Sequence, residues 1–351
     1  MTTPDTTPDT TPDTVLDGVL VVRAARRRPR LRLGLVLGGL AVALVAAFWL
    51  RVLGGDYTIT FPDFWRIVGG KDIPGASFIL LQSKLPRACL AALAGLALGL
   101  SGGVFQTTLR NPLASPDIVG VSAGASATAV FAIVVLHASG LALSVAGVIG
   151  ALGTALAVRM LAGRDTGFRL VLVGVTAAAG SVAVVQYLFT RADVYDAQLA
   201  LRWLTGSVSS ASWPEIRALG ACLVVLVPLT WYFARSARLL DLGHDLATGL
   251  GVARWRGDAL LLCAVLLCAV TVAAAGPIAF VAFAAGPISR RLNGGRTTLV
   301  GAALVGATVV VFGDYLGAYA LPGINLPVGV VTGAFGAPVL LWLLTTSRRA
   351  A

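Results

Sequence analysis

Residues whose side chains could perform chemistry are few in this chain, and none of them lies in a catalytic motif. The sequence has no His-Glu-x-x-His zinc motif and no Gly-x-Ser-x-Gly nucleophile motif. Its lysines, Lys71 and Lys84, stand outside the Gly-x-x-x-x-Gly-Lys context of a phosphate-binding loop. We therefore expect no enzymatic activity here, and any ATP hydrolysis, with its Mg²⁺, must come from another chain.

The thiols and imidazoles do not indicate a metal site. The cysteines all lie within apolar runs, without Cys-x-x-Cys spacing, which favours buried and inert thiols: Cys89, Cys222, Cys263 and Cys268. His137 and His244 have no second ligand at metal-binding spacing, so solvated or structural roles are favoured for both. The sequence predicts no metal ligand and no cofactor bound by this chain.

One carboxylate, Asp314, falls inside an apolar run, VVVFGDYLGAYAL. An ionisable group within a membrane span is a functional hypothesis by default, for example as part of a proton relay. Relays usually contain several such groups, whereas this carboxylate is alone and near the end of its run. We therefore favour a local role for Asp314, in capping or in pairing within a helix bundle.

The composition places these residues in a membrane protein. Hydrophobic residues make up 57% of the chain and charged residues 12%, whereas soluble proteins carry about a quarter charged residues. Many apolar runs approach the length of about 20 residues that spans a bilayer. The net charge of +11 does not indicate nucleic acid binding, because the arginines stand between apolar runs, where the positive-inside rule expects them.

The apolar runs predict an all-α polytopic membrane protein with about ten transmembrane helices. We place these spans near residues 33–53, 86–107, 118–137, 141–162, 169–190, 217–234, 259–275, 278–291, 298–317 and 327–346. Most of the 27 Lys and Arg residues then fall on one side, which predicts that both termini are cytoplasmic. The eighth span is short, and if it only half-inserts the C-terminus lies outside.

The two ends of the chain differ in character. Residues 1–22 form one unit: the Thr-Thr-Pro-Asp repeats of 1–14 are expected to be disordered, and 15–22 could form a short helix on the membrane surface. Residues 23–350 form the transmembrane domain, which opens on a basic cluster. A cytoplasmic loop at about 235–258 carries leucines four residues apart, punctuated by glycines. A short amphipathic element of this kind either lies in the lipid interface or docks onto a cytoplasmic partner.

The stretch Lys84–Ala127 contains the most distinctive sequence features of the chain. It begins with Lys84 and Arg87 around a proline, continues through a run of glycine and alanine, and turns at NPLASPD before the next span. Small residues let helices approach closely in lipid. From the residues alone, this run either packs helices or shapes a pathway between them.

Several blocks together resemble the FecCD-type permeases of ABC importers, which carry iron–siderophore, haem and cobalamin. The stretch KLPRACLAALAGLALGLSGGVFQ followed by NPLASPDIVGVSAGA is similar to the opening block of that family. WLTGS at 203–207, LGHDLATGLGV at 242–252, GPIAFVAF at 276–283 and LPVGVVTGAFGAPVLLWLL at 326–344 resemble later blocks in the same order. The match covers roughly residues 31–346.

The resemblance implies a type II importer permease fold and a defined set of partners. A second permease subunit, with a heterodimer favoured, would complete one central pathway. Two ATPase subunits would use ATP and Mg²⁺, and an extracytoplasmic siderophore-binding protein would deliver the cargo at the cytoplasmic membrane of a bacterium. Cobalamin and haem remain alternative cargoes. A carrier or channel that works without ATP is the competing class.

The resemblance also implies roles for particular residues. Two exposed cations would dock the binding protein: Lys84 and Arg87. Small residues of the following run would line or shape the pathway: Gly95, Gly99, Ser101, Gly102, Gly103 and Gln106. The coupling segment would contact the ATPase: Leu242, Gly243, Ala247, Leu250 and Gly251. The chain departs from the family pattern in having Lys84 for an arginine, Ala318 where members often carry a further arginine, and Gly286-Pro287 for a Pro-His pair. The pathway hypothesis predicts that Gly102→Leu blocks uptake and leaves membrane assembly intact.

Overall fold

The computed structural model describes residues 12–163, 168–240 and 255–347, together with Gly249 and Ala253. Within these residues the regular structure is helical. Helices α1 to α6 span Pro12–Leu53, Phe61–Val68, Ala76–Phe78, Leu85–Thr108, Val121–Val134 and Leu141–Ala162. Helices α7 to α13 span Phe168–Phe189, Val194–Leu204, Trp213–Leu240, Trp255–Ala275, Val281–Leu292, Leu299–Tyr319 and Val328–Ser347.

Each of the ten predicted spans corresponds to one helix, so the predicted all-α polytopic class is confirmed. Seven helical segments of the described residues are long and apolar enough to cross a membrane: Leu31–Leu53, Ala76–Thr108, Leu141–Ala162, Arg169–Phe189, Trp213–Arg235, Trp255–Ala275 and Leu299–Tyr319. The others are shorter, as in α5 and α11, or extend close to the end of the described chain, as in α13.

Helix α4 lies at the centre of the bundle. It packs most extensively against α12, and also contacts α9, α10 and α11. A π-helical turn over Ile79–Lys84 leads into it without a break, and Pro86, which lacks an amide hydrogen, follows directly after this turn. Its run of glycine, alanine and serine leaves the helix almost entirely buried among its neighbours.

Helix α11 is too short to span a bilayer, as its sequence suggests. Its 12 residues rise about 18 Å. The residues before it are irregular, and Phe280 has a positive φ of 64°. Seven successive residues of the helix, from Val281 to Pro287, are buried. Non-helical backbone at membrane depth is tolerated where protein surrounds it, and α4, α12 and α13 surround α11 here.

The ends of the chain and the outer loops add detail that the sequence analysis only partly anticipates. The predicted surface helix at 15–22 belongs to α1, which is continuous from Pro12 to Leu53, while residues 1–11 lie outside the described residues.

Helix α8 was not predicted. Asp193 caps it by accepting a hydrogen bond from the amide of Asp196 at 2.8 Å, so the Asp-x-x-Asp spacing was the available signal.

Candidate functional site

The outer end of α4 carries the two cations proposed for docking, and both are buried. Lys84 is 4% exposed and Arg87 is 7% exposed. The ammonium group of Lys84 donates hydrogen bonds to the backbone carbonyls of Gly54 and Tyr57, just beyond the end of α1. The expectation that the two cations are exposed is therefore wrong in this conformation, because each of them has partners within the chain. Their docking role remains a prediction.

Arg87 belongs to a buried cluster around the single carboxylate Asp314, which is fully buried. Arg51 Nε lies 2.6 Å from Asp314 Oδ2, and Arg87 Nη2 lies 2.8 Å from Asp314 Oδ1. Arg87 Nη2 also donates to Asn325 Oδ1 at 3.2 Å. The cluster ties the outer ends of α1, α4 and α12 together, so Asp314 has the local pairing role that the sequence favoured.

Arg51 is the member of this cluster that the sequence analysis missed. It is 2% exposed, its guanidinium carbon lies 5.6 Å from the ring centre of Tyr319, and its Nη1 has no hydrogen-bond partner among the described residues. The cluster holds two arginines on one carboxylate, and Lys84 beside it interacts electrostatically with both Arg51 and Asp56. The available signal was positional: Arg51 ends its span on the same predicted side as Asp314.

The glycines of α4 form a tight seam with α12. A Cβ atom added to Gly95 would overlap the carbonyl of Gly306, and one added to Gly99 would overlap the carbonyl of Ala302. Gly306 meets Gly95 in the same way from the other side. Two backbones in direct contact leave no room for side chains between them. Small residues at such interfaces allow membrane helices to pack closely.

The remaining pathway candidates hold α4 against other neighbours. Ser101 Oγ donates to the carbonyl of Ala264 in α10 at 2.6 Å. Gly102 lies against the backbone of Ala282 in α11, with no space for a Cβ. Gly103 would place a Cβ 3.1 Å from Ala302 Cβ. Gln106 Nε2 donates to the carbonyl of Phe283 at 2.9 Å.

In this conformation five of the six candidates are packed between helices of one chain, and Gln106 lines the cavity at the inner helix ends, which the other five do not reach. The six residues thus shape the bundle; that they line a pathway remains a prediction. The sequence analysis left both roles open, because a run of small residues has the same composition in either case.

The inner corner between α4 and α5 has a defined turn structure. Arg110 ends the α4 segment with a positive φ of 51°. Asn111 Oδ1 accepts a hydrogen bond from the amide of Leu113 at 2.9 Å, which is the local bond that makes asparagine a turn residue. Asp117 accepts from the hydroxyl of Ser122. Burial raises the pKa of the Asp117 carboxyl, and this hydrogen bond acts in the opposite direction.

The outer loop of WLTGS joins three helices. Gly206 has a positive φ of 62°, and a Cβ there would overlap the carbonyl of Pro277. The amide of Ser207 donates to Ala275 O at 2.8 Å, and the amide of Gly329 donates to Gly206 O at 3.1 Å. The end of α10 and the start of α13 are therefore fixed by backbone contacts to this loop.

The coupling candidates Leu242, Gly243, Ala247, Leu250 and Gly251 lie outside the described residues. The neighbouring helices α9 and α10 bracket the segment. Close to its end, Arg159 Nη2 of α6 lies 2.9 Å from Asp258 Oδ1 of α10.

Comparisons with known proteins agree over most of the chain. A model of the FecCD transport family matches residues 43–346. The achromobactin transport system permease protein of Dickeya dadantii is 39% identical, over 88% of this chain and 91% of its own length. The ferric enterobactin transport system permease protein of Escherichia coli is 33% identical, over 88% and 94%. The vitamin B12 import system permease protein of Citrobacter koseri is 32% identical, over 89% and 94%.

A solved structure is also similar. It is described as an inward-facing conformation of a putative metal-chelate type ABC transporter, and it superimposes with a TM-score of 0.75 at 27% identity. The likeness covers 89% of this chain and 99% of that chain. The similarity therefore extends over nearly the whole of both folds.

Proposed function

The chain belongs to the FecCD transport family, and from this premise we propose that it is the permease subunit of an ATP-driven importer that moves an iron–siderophore complex across the bacterial cytoplasmic membrane. The chain is a multi-pass membrane permease of the ABC-importer type and has the fold of such permeases. It is a transport subunit and not itself a catalyst. The cargo class is an iron chelate or vitamin B12.

The observation that carries the proposal is end-to-end similarity to iron-chelate permeases. The match to the ferric enterobactin permease covers nearly all of that protein. Vitamin B12 is the second candidate, because one relative of nearly equal coverage imports it. A bulky cargo selected by a separate binding protein leaves little trace in a permease, so the cargo has to be decided by uptake measurements.

The energy source in this proposal is a pair of separate ATPase subunits that bind ATP and Mg²⁺. The chain lacks a phosphate-binding loop. A second permease subunit, different from this one, would complete the pathway. The exposed apolar side chains on α6 and α7 support a bundle whose outer faces meet lipid or another subunit; Leu156, Met160, Leu172 and Val182 are among them.

The coupling segment gives the first test of the assembly. We expect Leu250→Asp to abolish co-purification of the ATPase, because a charge would replace an apolar contact in its groove. Thr248→Asp is the matched control: it adds the same charge two residues away, at a position outside the segment's Leu-Gly-Ala-Leu-Gly pattern. The readout is the amount of ATPase that co-purifies with the tagged chain from membranes. Equal recovery with both variants would contradict the coupling role of Leu250, and the absence of any ATPase with the unaltered chain would contradict the proposed function.

The outer cations give the second test. The excess of positive charge at the end of α4 supports the proposal that Lys84 and Arg87 attract acidic residues of a binding protein. Removing the charge with Lys84→Gln should weaken association by at most about 1 kcal/mol, and the loss should fade as salt rises. Lys71→Gln removes an exposed cation on the same predicted side as a control. Titration of the loaded binding protein onto the purified complex measures both variants. Identical affinities for the two variants would exclude a special role for Lys84.

A further inference from the structure

A basic cavity lies among the helix ends at the predicted cytoplasmic side, and of the six pathway candidates it contains Gln106 alone. Its volume is about 700 Å³, and its walls come from α1, α4, α9, α10, α11 and the start of α12. Four arginines line it: Arg110, Arg235, Arg290 and Arg296. No Asp or Glu is among the described residues that line it. The charged side chains of the cavity lining are therefore all cationic, which favours an anion.

Three of these arginines are not neutralised within the described part of the chain. Arg235, Arg290 and Arg296 make no ion pair with any carboxylate there, and all three are exposed. By contrast, the arginines at the outer end, Arg51 and Arg87, share a buried carboxylate. Planar guanidinium groups bind phosphate oxygens in a bidentate manner, which suits them to a phosphate group better than to a chloride ion.

The start of α12 also favours an anion in the cavity. Thr297, Thr298, Leu299 and Val300 line the cavity, and α12 runs for 21 residues from Leu299. Its N-cap residue Thr298 makes no side-chain hydrogen bond to the first turn. The positive end of the helix dipole therefore faces the same space as the arginines.

Apolar side chains also line the cavity. Leu33 and Leu37 belong to α1, and both are half-buried. Trp231 on α9 is 45% exposed and Val300 on α12 is 42% exposed. Tryptophan concentrates at the level of lipid headgroups. A ligand of this cavity therefore meets both cations and partly exposed apolar side chains.

We infer that this cavity binds the phosphate headgroup of an anionic phospholipid of the cytoplasmic leaflet. The phosphate lies among Arg235, Arg290 and Arg296, and the acyl chains run along Leu33, Leu37 and Trp231. Basic pockets between transmembrane helices on the cytoplasmic side suit such headgroups. An acidic surface of a protein partner would satisfy the arginines and leave the apolar side chains unused, whereas a lipid can contact both sets of residues. The bound lipid would hold α1 and α9 against the central helices.

The test measures lipid binding to the full-length chain, purified with the subunits that accompany it. Native mass spectrometry with added phosphatidylglycerol or phosphatidylcholine gives the affinity for each lipid. We expect phosphatidylglycerol to bind and phosphatidylcholine to bind far more weakly. Arg290→Gln with Arg296→Gln should weaken phosphatidylglycerol binding by roughly fivefold per lost cation, about twenty-fivefold in total.

Two matched variants isolate the cause. Arg159→Gln with Arg169→Gln removes two charges from the same predicted side, outside the cavity, and should bind phosphatidylglycerol as tightly as the unaltered chain. Arg290→Lys with Arg296→Lys keeps both charges and should restore most of the binding, which separates loss of charge from loss of fold.

Several results would overturn the inference. One is equal affinity of the unaltered chain for the two lipids, which does not depend on any variant folding. Another is equal weakening in the cavity pair and the control pair. If the glutamine pair instead loses an accompanying subunit while its affinity for phosphatidylglycerol stays unchanged, the arginines serve a protein partner and the lipid site is wrong.

Discussion

Asp314→Asn is expected to lower the free energy of unfolding by about 3–5 kcal/mol, because it removes the one carboxylate that two buried guanidinium groups share. Arg51 and Arg87 would then remain buried with no opposite charge in contact, and the outer ends of α1, α4 and α12 would lose their common tie. The substitution keeps the size of the side chain, so the effect reports charge rather than a cavity. Denaturant titration of the purified chain in mild detergent measures it.

The control is the exposed pair of Arg159 and Asp258, whose side chains are 36% and 53% exposed. Asp258→Asn should change stability by at most about 1 kcal/mol. Adding Arg51→Met to Asp314→Asn should recover part of the lost stability, since an apolar side chain in that place is better than an unpaired buried cation. Equal losses from Asp314→Asn and Asp258→Asn would show that the buried cluster does not hold the bundle.

Gly102→Ala is the second large effect, and it is expected to destabilise the chain by about 1–3 kcal/mol or more. A Cβ at this position would overlap the carbonyl group and Cα of Ala282, which are backbone atoms of α11 and cannot rotate away. Helices α4 and α11 would have to separate, and the bond from Gln106 to Phe283 lies on the same interface. We expect lower stability and lower uptake together.

This contact changes the expectation for Gly102→Leu. The hypothesis that the larger substitution blocks uptake while assembly stays intact does not agree with a glycine in backbone contact, so we now expect reduced assembly as well. Gly153→Ala is the matched control, because its added Cβ would have no atom within 4 Å. That change should stabilise α6 by up to about 1 kcal/mol through helix propensity. A Gly102→Ala chain as stable as the unaltered one would contradict the backbone contact between α4 and α11.

The sequence predicts the helices well and their mutual contacts poorly, for a physical reason. Span limits follow from local features: apolar runs end at arginines, prolines and glycines, so α6 begins and ends where its run does. The burial of Arg87 depends on Asp314, which is 227 positions away along the chain. Nothing near Arg87 in the sequence distinguishes a cation held by a distant carboxylate from one that faces a partner protein.

The glycine seam illustrates the same limit. The run around Gly95 and Gly99 shows that some helix approaches closely, and it does not identify α12 as that helix. The helix that packs against it, α12, contains Ala302 and Gly306, but several other helices are equally rich in small residues. Composition alone therefore does not single out α12 as the partner. Family resemblance supplied the functional class that these residues could not, because transport by such a permease requires shape and movement rather than reactive groups.

Transport by a reconstituted complex is the most direct measurement of the central claim. Proteoliposomes would contain the full-length chain with its co-purifying ATPase and second permease, ATP and Mg²⁺ on the ATPase side, and a binding protein loaded with a radioactive ferric siderophore on the other side. We predict accumulation of iron that requires ATP, the ATPase and the binding protein together, and no uptake by this chain alone. Uptake by this chain alone, without ATP, would contradict the account and place the protein among ATP-independent carriers.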